Sequence, residues 1–382
     1  MNYFFWGMLS GVGLLWFLYL FFVLISLVAW VRLPTHRLGS FSPKTKITVI
    51  IVMRNEVATI GHLLDDLIQQ AYPKHLFEVI VVDDDSSDGS AALVTAYQAQ
   101  VPFRLHLLTN PFMAAVPSPK KRAITTAIAQ ASGALIVCTD ADCRVSPYWL
   151  AIFAQCYETQ DAKFMSGAVT FTTERRAFDY LQTVEFASLI GTGAACIYWG
   201  FPTMCNGANL AYPKAVFLEV KGYEGVAHLP SGDDEFLMHK VARRYPKGIH
   251  FIKQPAHTVQ TRPAAGLSQF FQQRIRWASK WEHYTDIRIK LIALLIYLVN
   301  FTLVATAIGW LINFLPGNFF LSLLATRFII EFFFLKKILV YLSKAHTQWW
   351  IVPTFFLYSF YVVFFGLIAR FFSYSWKGRR FL

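Results

Sequence analysis

The sequence predicts an α/β domain with a ligand site along one sheet edge, tethered to a membrane by one N-terminal and about three C-terminal apolar helices. Three observations carry that reading. Residues 4–31 contain no charge and are long enough, at 1.5 Å per residue, to cross a hydrocarbon core. Between residues 44 and 139, short β-branched runs alternate with helical patterns, as in a parallel sheet. The run Leu135-Ile136-Val137-Cys138-Thr139 then stops on Asp140-Ala141-Asp142, two acids one residue apart. Carboxylates at the carboxyl end of a buried strand sit where α/β sheets bind ligands and where hard cations find oxygen.

Composition supports the membrane part. Hydrophobic residues make up 55% and aromatic residues 17% of the 382, too apolar for an ordinary soluble enzyme. Trp6 and Trp30 stand near the two ends of the first segment as interface anchors. A cleavable signal fits poorly, because no basic residue precedes the run, the run is too long, and Val31-Arg32-Leu33-Pro34 is not a small-residue cleavage site. The net charge of +12 is distributed beside the apolar segments, at Arg32, Arg37, Lys44, Lys46, Arg288, Lys290, Lys336, Lys337, Arg379 and Arg380. That pattern reads as positive-inside flanking and headgroup contact, and argues against a nucleic-acid partner. Five cysteines without a Cys-x-x-Cys pair indicate neither zinc nor a disulfide framework, so a reducing, cytosolic face is the default.

Along the chain, the expected organisation is a transmembrane helix at 1–33, a Pro/Gly/Ser-containing linker at 34–43, and an α/β domain at 44–265. An aromatic, basic interfacial helix follows at 266–286, then apolar segments within 287–373 and a basic tail at 374–382. Within the α/β domain, strands are expected at 47–53, 77–82, 103–108 and 135–139, with helices at 59–70, 90–100 and 120–131. Residues 164–252 read as mixed strands and loops. The apolar segments at 287–315, 319–335 and 349–372 place the basic tail outside if each crosses once, so one of them is expected to be interfacial or re-entrant, near residues 336–344 or at Pro353. Arg327 and Glu331 are spaced i, i+4 and are expected to pair on one helix face.

Four constellations carry chemistry. Arg54-Asn55-Glu56 ends the first strand and Asp83-Asp84-Asp85-Ser86-Ser87-Asp88-Gly89 ends the second. Acceptor carboxylates there suit the imide of a uracil and ribose hydroxyls; helix capping and a turn account for Ser86, Asp88 and Gly89 but not for three consecutive acids. Asp140-Ala141-Asp142 suits Mg²⁺ or Mn²⁺ bridged to phosphate, with Lys120 and Lys121 at a nearby helix start; a solvated helix face is equally open for Lys121. Gly232-Asp233-Asp234-Glu235 precedes a helix and offers either a general base or an N-cap. Gln273, Arg276 and Trp277 lie at i, i+3 and i+4 and present an amide, a guanidinium and an indole on one face, for a sugar diphosphate or as headgroup anchors.

In this order, these motifs resemble those of the membrane-bound family 2 glycosyltransferases, which include cellulose, chitin and hyaluronan synthases and lipid-linked sugar transferases. The resemblance spans about residues 44–284 and implies a GT-A fold, a nucleotide-sugar donor (a UDP-sugar foremost), Mg²⁺ or Mn²⁺, and inversion at the anomeric carbon. It implies that Glu56, Asp83 and Asp84 contact the nucleoside, with Lys120 near the phosphates. Asp140 then meets the ribose or phosphate side, Asp142 holds the metal, and Asp234, with Asp233 beside it, is the base. Gln273, Arg276 and Trp277 hold the diphosphate and the acceptor end, and Gly207 and Asn209 line the acceptor side. Asp85 stands where many members have glycine.

The function implied is sugar transfer to a hydroxyl of a lipid or lipid-linked glycan at the bilayer, with the enzyme in the plasma membrane and its catalytic domain in the cytoplasm. Two alternatives stay open: a processive synthase that also secretes its polysaccharide, and a transporter or scaffold whose α/β domain only senses a nucleotide.

Overall fold

The computed structural model describes residues 2–39, 41–110, 118–368 and 374–381. They form two compact units, one of Leu33–Thr173 with Cys196–Pro263, the other of Met1–Arg32, Glu174–Ala195 and Ala264–Leu382.

The first unit is built on strands β1 (Ile47–Met53), β2 (Phe77–Asp83), β3 (Arg104–Thr109), β4 (Leu135–Asp140), β5 (Phe164–Gly167), β6 (Val169–Phe171), β7 (Leu210–Pro213), β8 (Ile249–Ile252) and β9 (Val259–Thr261). Seven of them join in the order β3-β2-β1-β4-β7-β5-β8, and β6 pairs with β9 separately. The strands β1, β2 and β4 are almost continuously apolar and buried, as strands covered on both faces must be. All pairings in the main sheet are parallel except those of β7, which runs antiparallel to β4 and β5. Register fixes the site: Met53 lies opposite Asp83 and Val52 opposite Asp140, so acids ending two non-consecutive strands flank the end of β1. Between β1 and β4 the strand order reverses, the switch point at which open α/β sheets open a crevice.

The connections contain α2 (Ile60–Ile68), α3 (Ser90–Gln98), α4 (Pro119–Gln130), α5 (Trp149–Gln160), α7 (Lys214–Glu219) and α8 (Glu235–Arg244). In α4, Ala123, Ile124, Ala127 and Ile128 are buried at helical spacing, and the helix opens with Pro119 at its first position.

The second unit holds α1 (Asn2–Arg32), α6 (Ala177–Tyr198, which enters it as far as Ala195), α9 (Leu267–Ala278), α10 (Ile287–Leu311), α11 (Gly317–Tyr341) and α12 (Ile351–Ile368). Helix α1 packs against α10 and α11, and α10 also against α12. Four spans are long and apolar enough to cross a membrane: Ser10–Arg32, Ile287–Leu311, Gly317–Tyr341 and Ala345–Ile368. Helix α11 continues unbroken through Lys336 and Lys337, and Pro353 sits in the first turn of α12, where its missing N–H leaves no helical bond unmade. Within the expected window 336–344, α11 ends at Tyr341 and the chain turns, with Ser343 at φ +59°, before the span Ala345–Ile368. Arg327 and Glu331 do pair, Nε to Oε1 at 2.6 Å; Tyr19 also donates to Glu331, and Arg327 Nη1 reaches Ser359 Oγ at 3.1 Å. The tail folds into a hairpin, β10 (Tyr374–Trp376) and β11 (Arg379–Phe381), turned by Lys377 and Gly378, both at positive φ. The side chain of Trp6 and the segment end at 369–372 lie outside the described residues.

One expectation fails clearly. Residues 164–252 contain a 22-residue helix, α6, rather than only strands and loops. Val184, Glu185, Phe186 and Ala187 are consecutive and all buried, so no polar stripe marks a helical period.

Candidate active site

At the carboxyl edge of the sheet the three consecutive acids divide. Asp84 is buried: its Oδ1 accepts from Asn110 Nδ2 at 2.7 Å and lies 3.9 Å from Arg122 Nη2. Asn110 in turn donates to Pro119 O and accepts from Arg122 Nε, both at 3.1 Å, which ties the end of β3 to the start of α4. Asp83 is half-exposed, and Asp85 is exposed with φ +66°, a left-handed conformation that glycine adopts freely and aspartate tolerates. Glycine would meet that backbone requirement at no steric cost. Glu56 accepts from Thr59 Oγ1 at 2.6 Å and stays half-exposed.

Lys120, on the first turn of α4, joins two motifs. Its Nζ is 2.8 Å from Asp140 Oδ1 and 3.2 Å from Asp233 Oδ2. Burial alone would lower the lysine pKa, but Asp140 and Asp233 outweigh it and hold the ammonium above the ordinary range. Asp142 accepts from Thr261 Oγ1 at 3.2 Å. Asp140, Asp142 and Cys143 place one ligand atom each within 4.8 Å of one another. Two carboxylates are a hard oxygen set suited to Mg²⁺ or Mn²⁺, whereas the soft Cys143 thiol is buried.

Asp234 is the N-cap of α8: its Oδ1 accepts from Glu235 N and its Oδ2 from Gly207 N, each at 2.8 Å. The two backbone donors orient the carboxylate. A side chain at Gly207 would meet Lys120 Nζ at 3.3 Å, Asp234 Oδ2 at 3.5 Å and Asp233 Oδ2 at 3.6 Å. The Gly207 backbone thus lies beside both acids and the Lys120 ammonium.

Two residues stand elsewhere than expected. Asn209 does not line the crevice; it is fully buried, donating to Ala168 O (2.8 Å) and His257 O (2.9 Å) and accepting from Trp149 Nε1 (2.9 Å). A side chain with its donors and acceptor so engaged supports the end of β7 and offers nothing to an acceptor. Lys121, for which a solvated helix face was one of the readings, is also fully buried.

In the second unit, α9 carries Gln273, Arg276 and Trp277, but the buried residues of this stretch are Arg274 and Ile275. The Arg274 guanidinium lies 4.3 Å from the ring centroids of both Phe270 and Trp277, donates to Gln273 Oε1 at 2.5 Å and pairs with Glu185. Glu185 also accepts from Tyr361 Oη at 3.2 Å. Sequence reasoning missed this pair; its signal was a lone acid, Glu185, in an apolar run.

The sheet order, with its switch point between β1 and β4, is that of a GT-A fold. Comparison with known proteins agrees. The glycosyl transferase family 2 model matches residues 48–217, and the glycosyl transferase family group 2 model matches residues 135–373. A probable glycosyltransferase, YdaM of Bacillus subtilis, is 26% identical over 287 residues, covering 68% of this chain and 65% of the relative. The poly-beta-1,6-N-acetyl-D-glucosamine synthase of Staphylococcus aureus is 27% identical over 248 residues, covering 61% of this chain and 53% of the relative. The chain thus spans less than two thirds of the length of either relative. Among solved structures, a mannosyltransferase of Pyrobaculum calidifontis, in complex with GDP-Man and Mn²⁺, shares the fold at a TM-score of 0.53 with 18% identity, over 93% of this chain and 97% of that one. The second family match alone takes in more than half of the chain, and the chain belongs to the family 2 glycosyltransferases. By family it is of the glycosyltransferase class.

Proposed function

We propose that the protein transfers a sugar from a nucleotide-sugar, a UDP-sugar foremost, to a hydroxyl of a lipid or lipid-linked glycan at the membrane, with inversion. The observation that carries this reading is the bridge of Lys120 between Asp140 and Asp233, which brings the acids after β4 and the acids before α8 into one crevice. Asp142 and Asp140 would hold Mg²⁺ or Mn²⁺, which supplies Lewis-acid neutralisation of the departing diphosphate. Asp83 and Glu56 accept from the nucleoside, while Asp84, engaged by Asn110, orients the loop that presents them. The acceptor oxygen attacks the anomeric carbon as the bond to the diphosphate breaks, and its proton passes to Asp234, oriented by Gly207 N and Glu235 N. The Lys120 ammonium counters charge on the leaving diphosphate. On their sequence motif, Gln273, Arg276 and Trp277 are assigned to diphosphate and acceptor recognition. Four helices long and apolar enough to cross a membrane support a membrane enzyme, taken as one of the plasma membrane, and the basic flank of the first segment supports a cytoplasmic α/β domain.

Likeness to a poly-N-acetylglucosamine synthase favours a second reading, processive polymerisation with secretion. A donor screen tests both. Full-length protein in detergent should release nucleoside diphosphate from one of the UDP-, GDP- or dTDP-sugars, with Mn²⁺ or Mg²⁺ required. No release from any of them refutes sugar transfer, and a ladder of long glycans refutes single transfer.

A further inference from the structure

The segment between α7 and α8, residues 220–234, delivers Asp233 and Asp234 yet contains no strand or helix of its own. Two ammonium groups hold it. Lys121, on the first turn of α4, donates from Nζ to Val226 O and Leu229 O at 2.8 Å each and to Ser231 O at 3.0 Å. Lys240, on α8, donates to Lys221 O (3.3 Å), Gly222 O (2.7 Å) and Glu224 O (3.1 Å). An ammonium has three donor hydrogens and no acceptor, so three main-chain carbonyls complete it. Lys240 is half-exposed and water can replace its bonds, whereas Lys121 is at 0% exposure and its bonds to Leu229 O and Ser231 O are buried, where water does not substitute.

We propose that Lys121 is a positioning residue for the transfer: its buried ammonium clasps residues 226–231 and thereby sets where Asp233 and Asp234 stand against Lys120 and Gly207. The inference rests on the assignment of Asp234 as the base. Ser231, whose carbonyl Lys121 holds, lies two residues before Asp233, and the intervening Gly232 turns at φ +78°. Few bonds separate the clasp from the acids, so a shift of the loop becomes a shift of the carboxylates. Consecutive lysines on one helical turn divide the work. Lys120 meets the acids, and Lys121 holds the loop that carries them, so α4 fixes both sides of the ion pair.

Lys121→Met keeps the aliphatic stem and removes all three donors. In the full chain in detergent, amide hydrogen exchange across residues 226–236 should quicken while β1 and β4 stay protected. The kcat for sugar transfer should fall between about 10-fold and 100-fold, the cost of a misplacement near 1 Å, with the donor KM changed less than about threefold. Unchanged exchange at 226–236 overturns the clasp, and quickened exchange with kcat within about twofold of the parent overturns the positioning role. If Lys121→Met does not fold, Lys121→Gln, which retains two donors at shorter reach, is read by the same two criteria. Asp234→Asn separates this inference from the assignment beneath it. Retained transfer there removes the base, while the clasp is still judged on exchange alone.

Discussion

Replacing Asp234 by asparagine separates two duties that one carboxylate performs. As an N-cap, asparagine serves about as well as aspartate, so the bond from Glu235 N should survive. The amide has one oxygen, however, and its NH₂ must then face the second backbone donor, Gly207 N, which now bonds to Oδ2 at 2.8 Å. Losing that bond costs about 1 kcal/mol, and up to about 3 kcal/mol if the N–H finds no other acceptor. For a domain of this size that is a fall in Tm of a few degrees per kcal/mol, roughly 2–4 °C each. Catalysis should suffer more, because an amide cannot take the acceptor proton: general-base removal is worth about 10²–10⁴ in rate, or about 3–5 kcal/mol of barrier. The assay is transfer of labelled sugar under saturating donor, alongside thermal unfolding in the same detergent and donor binding by calorimetry. A variant that melts within a few degrees of the parent, binds donor and keeps kcat within about tenfold refutes Asp234 as the base.

Asp142→Asn should weaken Mn²⁺ binding by more than about tenfold, read by titration of free Mn²⁺, and Thr261→Val, which removes the hydroxyl bonded to Asp142, should do so to a smaller extent. Arg327→Met removes a fully buried charge from beside Glu331 and should cost about 3–5 kcal/mol in detergent unfolding, while Arg327→Met with Glu331→Met recovers most of it. His257 is fully buried with, among the described residues, no hydrogen-bond partner for either ring nitrogen, and stands edge-on to Phe153 with ring centroids 4.3 Å apart. Burial, with a smaller push from His36, lowers its pKa to about 3. The folded state therefore binds its proton less readily than the unfolded one, so this stability is present above the ordinary histidine range and is lost as pH falls from about 6.5 toward 3. His257→Phe should flatten that acid limb of the Tm profile, and an unchanged limb would exclude His257 as its source.

What the sequence could show depended on whether the chemistry was local. Asp140 and Asp142 were legible because a buried strand and its terminal acids are consecutive residues, and the sheet register then sets Asp83 and Asp140 on either side of β1. Which of Asp83, Asp84 and Asp85 faces the crevice was not legible. That choice follows from Asn110 and Arg122, which arrive from β3 and α4 and claim Asp84. The adjacent lysines show the limit most sharply. Successive residues on a helix point about 100° apart, so Lys120 and Lys121 must diverge, and only the rotation of α4 about its axis decides which one meets the acids. That rotation is set by Ile124, Ala127 and Ile128 buried beneath it, a choice made by packing rather than by any property of lysine. Exchanging the two roles would need the helix to turn through a full residue and lift that apolar face from the core. The same packing that hides Lys121 from a reader of the sequence therefore also holds Lys120 between Asp140 and Asp233.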